Sequence, residues 1–194
     1  MRLLPAELTA RLAAQRLMVE DPRHRPFLTP PLTPAAVLLP LFEKQGETHL
    51  LLTERTHKVS HHKGQISFPG GKQDPEDPDL WTTALRETFE EVGVAPEHVT
   101  HVGQLPDLPT ITRFCITPYV GWIPYPYAFV PSPDEIETLI EVPLSHLRDP
   151  FYRRIDEREV FGHRIPVYYY QYQGFTIWGV TGQLIFDFLN VLDA

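Results

Sequence analysis

Residues 64–94 read GQISFPGGKQDPEDPDLWTTALRETFEEVGV and constrain the fold more than any other stretch. A short β-prone segment runs into Pro69-Gly70-Gly71, and an acidic, Pro-rich loop follows. Then comes a run with helical periodicity that stops at Gly93, a suitable residue just past a helix end. Winding Leu80 to Val92 at 3.6 residues per turn places Glu87, Glu90 and Glu91 on one stripe roughly 100° wide. Trp81, Leu85, Thr88, Phe89 and Val92 are then expected on the opposite side. Glu87 and Glu91 form an i,i+4 like-charge pair, which destabilises an isolated helix by about 0.2–0.5 kcal/mol. Arg86, four before Glu90, offsets this in the less favourable orientation only. A countercharge from outside the helix is therefore called for, and a hard divalent cation supplies one. The alternative is a solvated acidic helix face.

The 194 residues suit one domain with a substantial core, and 42% hydrophobic with 22% charged residues is ordinary for a globular protein. The 21 prolines gather at segment ends, which predicts short elements joined by stiff loops. A formal net charge of −8 argues against broad nucleic-acid or membrane binding, which needs a basic surface. A polyanionic small substrate remains compatible, because bound metal and a few cations can invert the field locally. The single cysteine, Cys115, excludes an intramolecular disulfide and Cys-rich zinc sites, and its apolar run FCITPYVGWI predicts a buried position. The opening MRLLPAELTARLAAQRLM is interrupted by Pro5, Glu7, Arg11 and Arg16 and lacks the apolar core of a signal peptide. No apolar run approaches the ~20 residues of a membrane span. A soluble cytoplasmic protein is expected.

Residues 6–19 predict an amphipathic helix with Leu8, Leu12, Leu17 and Met18 on its apolar side. Pro22, Pro26, Pro30, Pro31 and Pro34 then mark an extended linker, so residues 1–34 read as a helix with a Pro-rich extension ahead of a main domain over 35–194. AAVLLPLFE (35–43) and THLLLTER (48–55) predict a β-hairpin, with Pro40 calling for an edge or a bulge. Further strands are expected within 98–108, 113–123, 135–144, 167–173 and 175–180, the last two joined through Gly174. A closing helix over 181–192 has Thr181 as its candidate cap. Helices on the faces of a mixed β-sheet imply an α/β/α sandwich. The absence of strict βαβα alternation and of G-x-G-x-x-G argues against a Rossmann fold.

A Gly-Gly pair lets backbone approach a ligand where a Cβ would clash. Its carbonyls can face a metal and its amides a phosphate, although most such pairs are only turns. The glutamates that follow add weight. Mg²⁺ takes about six oxygens and is commonly held by one or two carboxylates, waters and substrate phosphates. Glu87 and Glu91, one turn apart, can share such an ion, and Glu90 can hold a second ion or orient a water.

Arg86-Glu87-Thr88-Phe89-Glu90-Glu91-Val92-Gly93-Val94 resembles the second half of the Nudix hydrolase signature, Arg-Glu-x-x-Glu-Glu-x-Gly. Three departures stand out. Thr88 replaces the usual aliphatic residue, the loop from Gly71 to Arg86 is one residue longer, and the distal glutamate is missing. Pro78 occupies its aligned position, with Asp77 beside it. Upstream, LLTERTHKVSHHKGQISFPGG (51–71) resembles the additional motif of the coenzyme A pyrophosphatases within that superfamily, through Leu51, Leu52, Thr53, Arg55, Gly64, Phe68, Pro69, Gly70 and Gly71. Ser60 stands where that motif has a second arginine. The segment Trp178-Gly179-Val180-Thr181 and the helix after it are also similar to that family.

The resemblance implies a Nudix-type sandwich and Mg²⁺- or Mn²⁺-dependent cleavage of the pyrophosphate bond of coenzyme A and its derivatives, giving 3′,5′-ADP and 4′-phosphopantetheine. It implies metal ligation by Glu87, Glu91 and Glu90 with the Gly71 carbonyl, and catalytic roles for Glu90, Glu91 and Arg86, the arginine orienting the glutamates. Arg55, Lys58 and Lys63, with Gly70 and Gly71, would bind the anionic substrate, His61 or His62 adding charge; a solvated loop is the alternative there. Glu135 and Glu137 are further candidates for general base, against plain surface charge. Tyr168, Tyr169, Tyr170 and Tyr172 include candidate base-stacking residues, against ordinary strand packing. His57 and His61 have i,i+4 spacing without the following glutamate of a zinc motif. The rival substrate is another nucleoside diphosphate derivative such as ADP-ribose, with Pro106 and Pro109 in the relevant region. The rival class is a catalytically silent nucleotide- or CoA-binding module.

Overall fold

A computed structural model describes residues 1–15, 31–56, 64–160 and 162–193. The elements are α1 (Pro5–Gln15), β1 (Thr33–Lys44), β2 (Glu47–Arg55), β3 (Ile66–Ser67), β4 (Gly70–Lys72), α2 (Leu80–Val92), β5 (Thr100–Gln104), β6 (Leu108–Pro109), β7 (Phe114–Trp122), β8 (Ile136–Pro143), α3 (Leu144–Arg148), β9 (Arg153–Val160), β10 (His163–Tyr172), β11 (Phe175–Ile177) and α4 (Gly179–Asp193). No described helix is long and apolar enough to cross a membrane.

The hairpin β1–β2 turns at Gln45 and Gly46, both with positive φ (54° and 77°), the backbone of a tight turn that matches strand twist. The two strands pair only near that turn, Leu41 with Leu50 through Lys44 with Glu47. Beyond it they diverge, and residues 66–72 fill the fork: β3 pairs with β2, and β4 pairs with β1. On its other side β1 runs parallel to β7 from Thr33–Phe114 to Leu41–Trp122, and β8 borders β2. Pro40 is therefore in a central strand, which rules out the edge among the two positions, edge or bulge, expected of it. It falls between the stretch of β1 paired with β4 and the stretch paired with β2, where no ladder partner is recorded on that side.

Alternation along β1 builds two cores from one strand. Ala36, Leu38 and Phe42 face α2 in a cluster with Ala84, Val92, Val94 and Ile123. Leu39 and Leu41 face the other way, into a cluster with Leu8 and Leu12 of α1, Tyr168 and Tyr170 of β10, and Ile185 and Phe188 of α4. The result is the expected α/β/α sandwich with a mixed sheet, with a second sheet, β9–β10–β11, attached through α4. The described part of the N-terminal segment is tied in: Leu8 is fully buried, and the Leu3 N–H donates to Thr48 Oγ1 at 2.9 Å.

Several elements differ from expectation. The run RRIDEREV has no apolar alternation, yet it forms β9, held by its register against β10 from Arg153–Tyr170 to Val160–His163. Helix α4 begins at Gly179, so Thr181 is inside its first turn. Its hydroxyl donates to the Ile66 carbonyl at 2.9 Å, tethering α4 to β3 rather than capping the helix. Cys115 is half-buried on β7 rather than in the core. On α2 the buried face is Ala84, Thr88, Glu91 and Val92, while Phe89 is 54% exposed. Glu91, expected on one acidic stripe with Glu87 and Glu90, is turned inward.

Candidate active site

Helix α2 is held at both ends. Asp79 caps its start, accepting from the Thr82 N–H at 2.7 Å, and Gly93 (φ 73°) closes it with an N–H to the Phe89 carbonyl. The buried Thr88 satisfies its hydroxyl on the Ala84 carbonyl at 2.6 Å, which is how a threonine occupies an apolar position. Helix α2 packs on β1 and β4, which places Glu87 and Glu91 beside Gly70 and Gly71.

The two glycines make room for different neighbours. Gly70 has φ 153°, and a Cβ there would strike the Ala36 carbonyl and Val37. A Cβ on Gly71 would overlap the Glu87 carboxylate. Gly71→Ala should therefore leave the sheet intact while displacing Glu87. The expected result is a loss of about 10–100-fold in turnover with a Tm within a few degrees of wild type. Unchanged turnover would separate Gly71 from the site.

Glu91 is 2% exposed. Its Oε1 accepts from Arg55 Nη1 at 2.9 Å, while Oε2 is buried without a partner. Burial pushes its carboxyl up to about 8 against the pull of Arg55, and the charges of Glu87 and Glu135 add to the rise. Glu87 is raised for the same first reason, burial, partly countered by Arg86. Two desolvated carboxylates, one with an orphaned oxygen, face a backbone cradle that only glycine permits. That arrangement fits a hard cation, with the Glu87 and Glu91 carboxylates as the available oxygens. Among the described residues no three carboxylate, imidazole or thiol groups converge on a point. Arginines meet the glutamates instead.

Arg86 lies at the centre of one such network. Its Nη1 donates to Glu87 Oε1 at 3.0 Å and Glu90 Oε2 at 3.1 Å, and its Nε and Nη2 reach Asp77 at 3.1 and 3.0 Å. Asp77 also accepts from the Asp74 N–H and the Thr83 hydroxyl, and the Arg86 guanidinium holds its carboxyl down at about 2. Arg55 anchors a second network, donating to Glu91 and, through Nη2, to Glu135 Oε2 at 3.0 Å. Arg55, Gly70, Gly71 and Glu135 line a pocket of about 980 Å³ whose other walls come from β6, β9, β10 and the start of α4.

Arg55, Gly70, Gly71, Arg86, Glu87, Glu90 and Glu91 are thus gathered in one region, with Glu90 on its solvent side at 54% side-chain exposure. Lys58, Lys63, Ser60 and the histidines at 57, 61 and 62 lie outside the described residues, as do Leu17, Met18, Pro22, Pro26 and Pro30. Glu137 is exposed on β8. Tyr168 and Tyr170 belong to the core, and Tyr172 packs on His146, whereas Tyr169 stacks on Trp178. Pro109 lines the pocket and Pro106 is exposed. Sequence reasoning missed Asp77 and Glu135 as arginine anchors. The only sequence sign of Asp77 was its place beside Pro78.

A family model for the NUDIX domain matches residues 31–161. The chain is 40% identical over 153 residues to a protein of Enterobacter sp. (strain 638) named uncharacterized Nudix hydrolase NudL, covering 78% of both chains. A protein of the same name from Photorhabdus laumondii is 40% identical over 154 residues, covering 78% of this chain and 80% of the relative. Among solved structures, a MutT/nudix family protein from Enterococcus faecalis aligns with TM-score 0.53 at 15% identity, covering 100% of this chain and 76% of the other. A C. elegans Ap4A hydrolase binary complex aligns with TM-score 0.50 at 22% identity over 59% of this chain and 82% of the other.

Proposed function

This chain belongs to the Nudix family of hydrolases, and from that premise we propose that it cleaves the pyrophosphate bond of coenzyme A and its derivatives. The observation that carries the reading is Arg55. It comes from the segment that resembles the coenzyme A motif, bonds Glu91 of the acidic helix, and lines the adjoining pocket. One structural unit thus joins the acidic helix to a cavity at the upper end of the usual ligand-site range. Much of the lining is apolar, as in Val37, Ile66, Phe68 and Leu184, which suits a long pantetheine arm better than a second ribose.

Glu87, Glu91 and the Gly71 carbonyl would hold Mg²⁺ or Mn²⁺, with Glu90 beside them. A divalent cation bound there would neutralise diphosphate charge and acidify water. Arg86 is a positioning residue: tied down by Asp77, it fixes the directions of Glu87 and Glu90. Arg55 offers a guanidinium to the diphosphate, held in place by Glu135. Glu90, the one member of the trio open to solvent, is the candidate to accept the proton of the attacking water.

Turnover of coenzyme A and ADP-ribose at equal concentration in Mg²⁺, with products identified by mass, tests this directly. The expected products are 3′,5′-ADP and 4′-phosphopantetheine, with coenzyme A turned over faster. Faster cleavage of ADP-ribose would overturn the substrate. Binding without cleavage would place the chain among silent modules.

A further inference from the structure

One wall of the pocket carries a group of side chains that the cleavage chemistry does not use. In the β9–β10 register Arg158 is opposite Ile165 and Arg154 opposite Tyr169, so alternation puts Arg154, Arg158, Ile165 and Tyr169 on one face. That face turns toward the pocket, whose lining includes Arg158 and Ile165; the other carries Tyr168 and Tyr170 into the core. Trp178, just ahead of α4, completes the wall and remains 43% exposed. Its ring is parallel to that of Tyr169 within 10°, with centroids 6.0 Å apart. The Arg158 guanidinium is 5.7 Å from the Trp178 ring centre, and its Nη2 donates to the Tyr169 hydroxyl at 3.0 Å. The Arg154 guanidinium lies 4.5 Å from the Tyr169 ring centre.

This indole is pre-oriented by a neighbouring ring and a guanidinium, yet almost half of it is open. Arg158 has no carboxylate partner among the described residues, whereas Arg55, the other arginine lining the pocket, is occupied by Glu91 and Glu135. A flat aromatic surface beside a guanidinium without a carboxylate partner among the described residues suits a planar base carrying a nearby phosphate. We propose that Trp178 and Arg158 form the nucleoside subsite, the adenine stacking on Trp178 and Arg158 binding the 3′-phosphate of the ribose. This rests on the coenzyme A reading and adds two specificity-determining residues to it. The apolar part of the lining, with Val37, Ile66, Phe68 and Leu184, is left for the remainder of the substrate.

Both side chains are exposed, so Trp178→Ala, Trp178→Phe and Arg158→Gln should fold. Adenosine 3′,5′-bisphosphate and AMP, titrated calorimetrically into the full chain, separate the two contributions. Wild type should bind the bisphosphate about tenfold or more tightly than AMP. Arg158→Gln should bring the two affinities together. Trp178→Ala should weaken both by about 10–100-fold, with Trp178→Phe restoring most of the loss. In turnover, Arg158→Gln should reduce the kcat/KM ratio of coenzyme A to dephospho-coenzyme A by about tenfold. No preference for the bisphosphate in wild type, or a preference that survives Arg158→Gln, overturns the subsite. So does a Trp178→Ala loss confined to acyl-coenzyme A, which would give this wall to the acyl arm. If wild type cleaves coenzyme A and the ratio survives Arg158→Gln, the subsite alone falls. If wild type prefers ADP-ribose, the substrate reading itself falls.

Discussion

Glu91→Gln is expected to lower turnover by about 10³-fold while raising the thermal stability of the cation-free protein at pH 8.5. The two effects share one cause. Glu91 is buried with an orphaned oxygen, and burial raises its carboxyl to about 8. A carboxyl whose folded pKa exceeds its unfolded value imposes no ionisation cost below the unfolded value. The cost grows as pH climbs from about 4.5 toward 8 and is constant above. Wild type without a cation should therefore lose stability across that interval, and the glutamine variant should not. After subtracting the weakened Arg55 hydrogen bond, the variant should gain about 1–3 kcal/mol at pH 8.5, a Tm rise of a few degrees. At pH 4.5 the difference should vanish. Adding Mn²⁺ should reverse the order, because ligand binding stabilises only a protein that can hold it. Melting curves at the two pH values, with and without Mn²⁺, check this. A variant less stable than wild type at pH 8.5 without cation, or one that keeps its turnover, would remove Glu91 from the role proposed.

The second large effect is expected from Asp77→Ala. Asp77 is almost fully buried and accepts from Arg86, Thr83 and the Asp74 N–H. Removing it leaves the Thr83 hydroxyl with only a long contact to the Asp79 carbonyl. It also leaves Arg86 attached to Glu87 and Glu90 alone among its close carboxylates. The expected cost is about 2–3 kcal/mol, a Tm drop of roughly 5–10 °C for a chain of this size. Here the sign is opposite to that of Glu91. The folded pKa is depressed to about 2, so the contribution is fully present above the unfolded value of 3.8 and fades as pH falls toward 2. Wild type and variant should therefore converge on acidification between pH 4 and 2. Turnover should drop by about 10–100-fold because Arg86 no longer holds the two glutamates in fixed directions. A stability loss with unaltered turnover would show that Arg86 needs no outside anchor.

The acidic loop before α2 thus has a distinct task. The chain lacks the distal glutamate of the signature it resembles, yet a carboxylate grips Arg86 all the same, one residue before the aligned Pro78. The loop is longer by one residue, and Asp77 reaches Arg86 from it.

Local chemistry in the sequence was enough to place α2 within Leu80–Val92 and to end it at Gly93. Helical periodicity and a terminal left-handed glycine are properties of neighbouring residues. The same holds for the β1–β2 hairpin, whose turn joins its own two strands. Four outcomes depended on tertiary structure. Glu91 turned inward because β1 and β4 cover that side of the helix, so the buried stripe runs through Ala84, Thr88 and Glu91 while Phe89 is left outside. Pro40 sits in a central strand because the strand's partner changes beside it. β9 exists because β10 offers it a ladder, although its own sequence is charged. Arg55 and Glu135, 80 residues apart, meet because β2 and β8 are neighbours. Short-range propensity decides an element where hydrogen bonds and caps are local. Burial, charge pairing and sheet order arise only when distant segments share a surface, and those decided the electrostatics of this site.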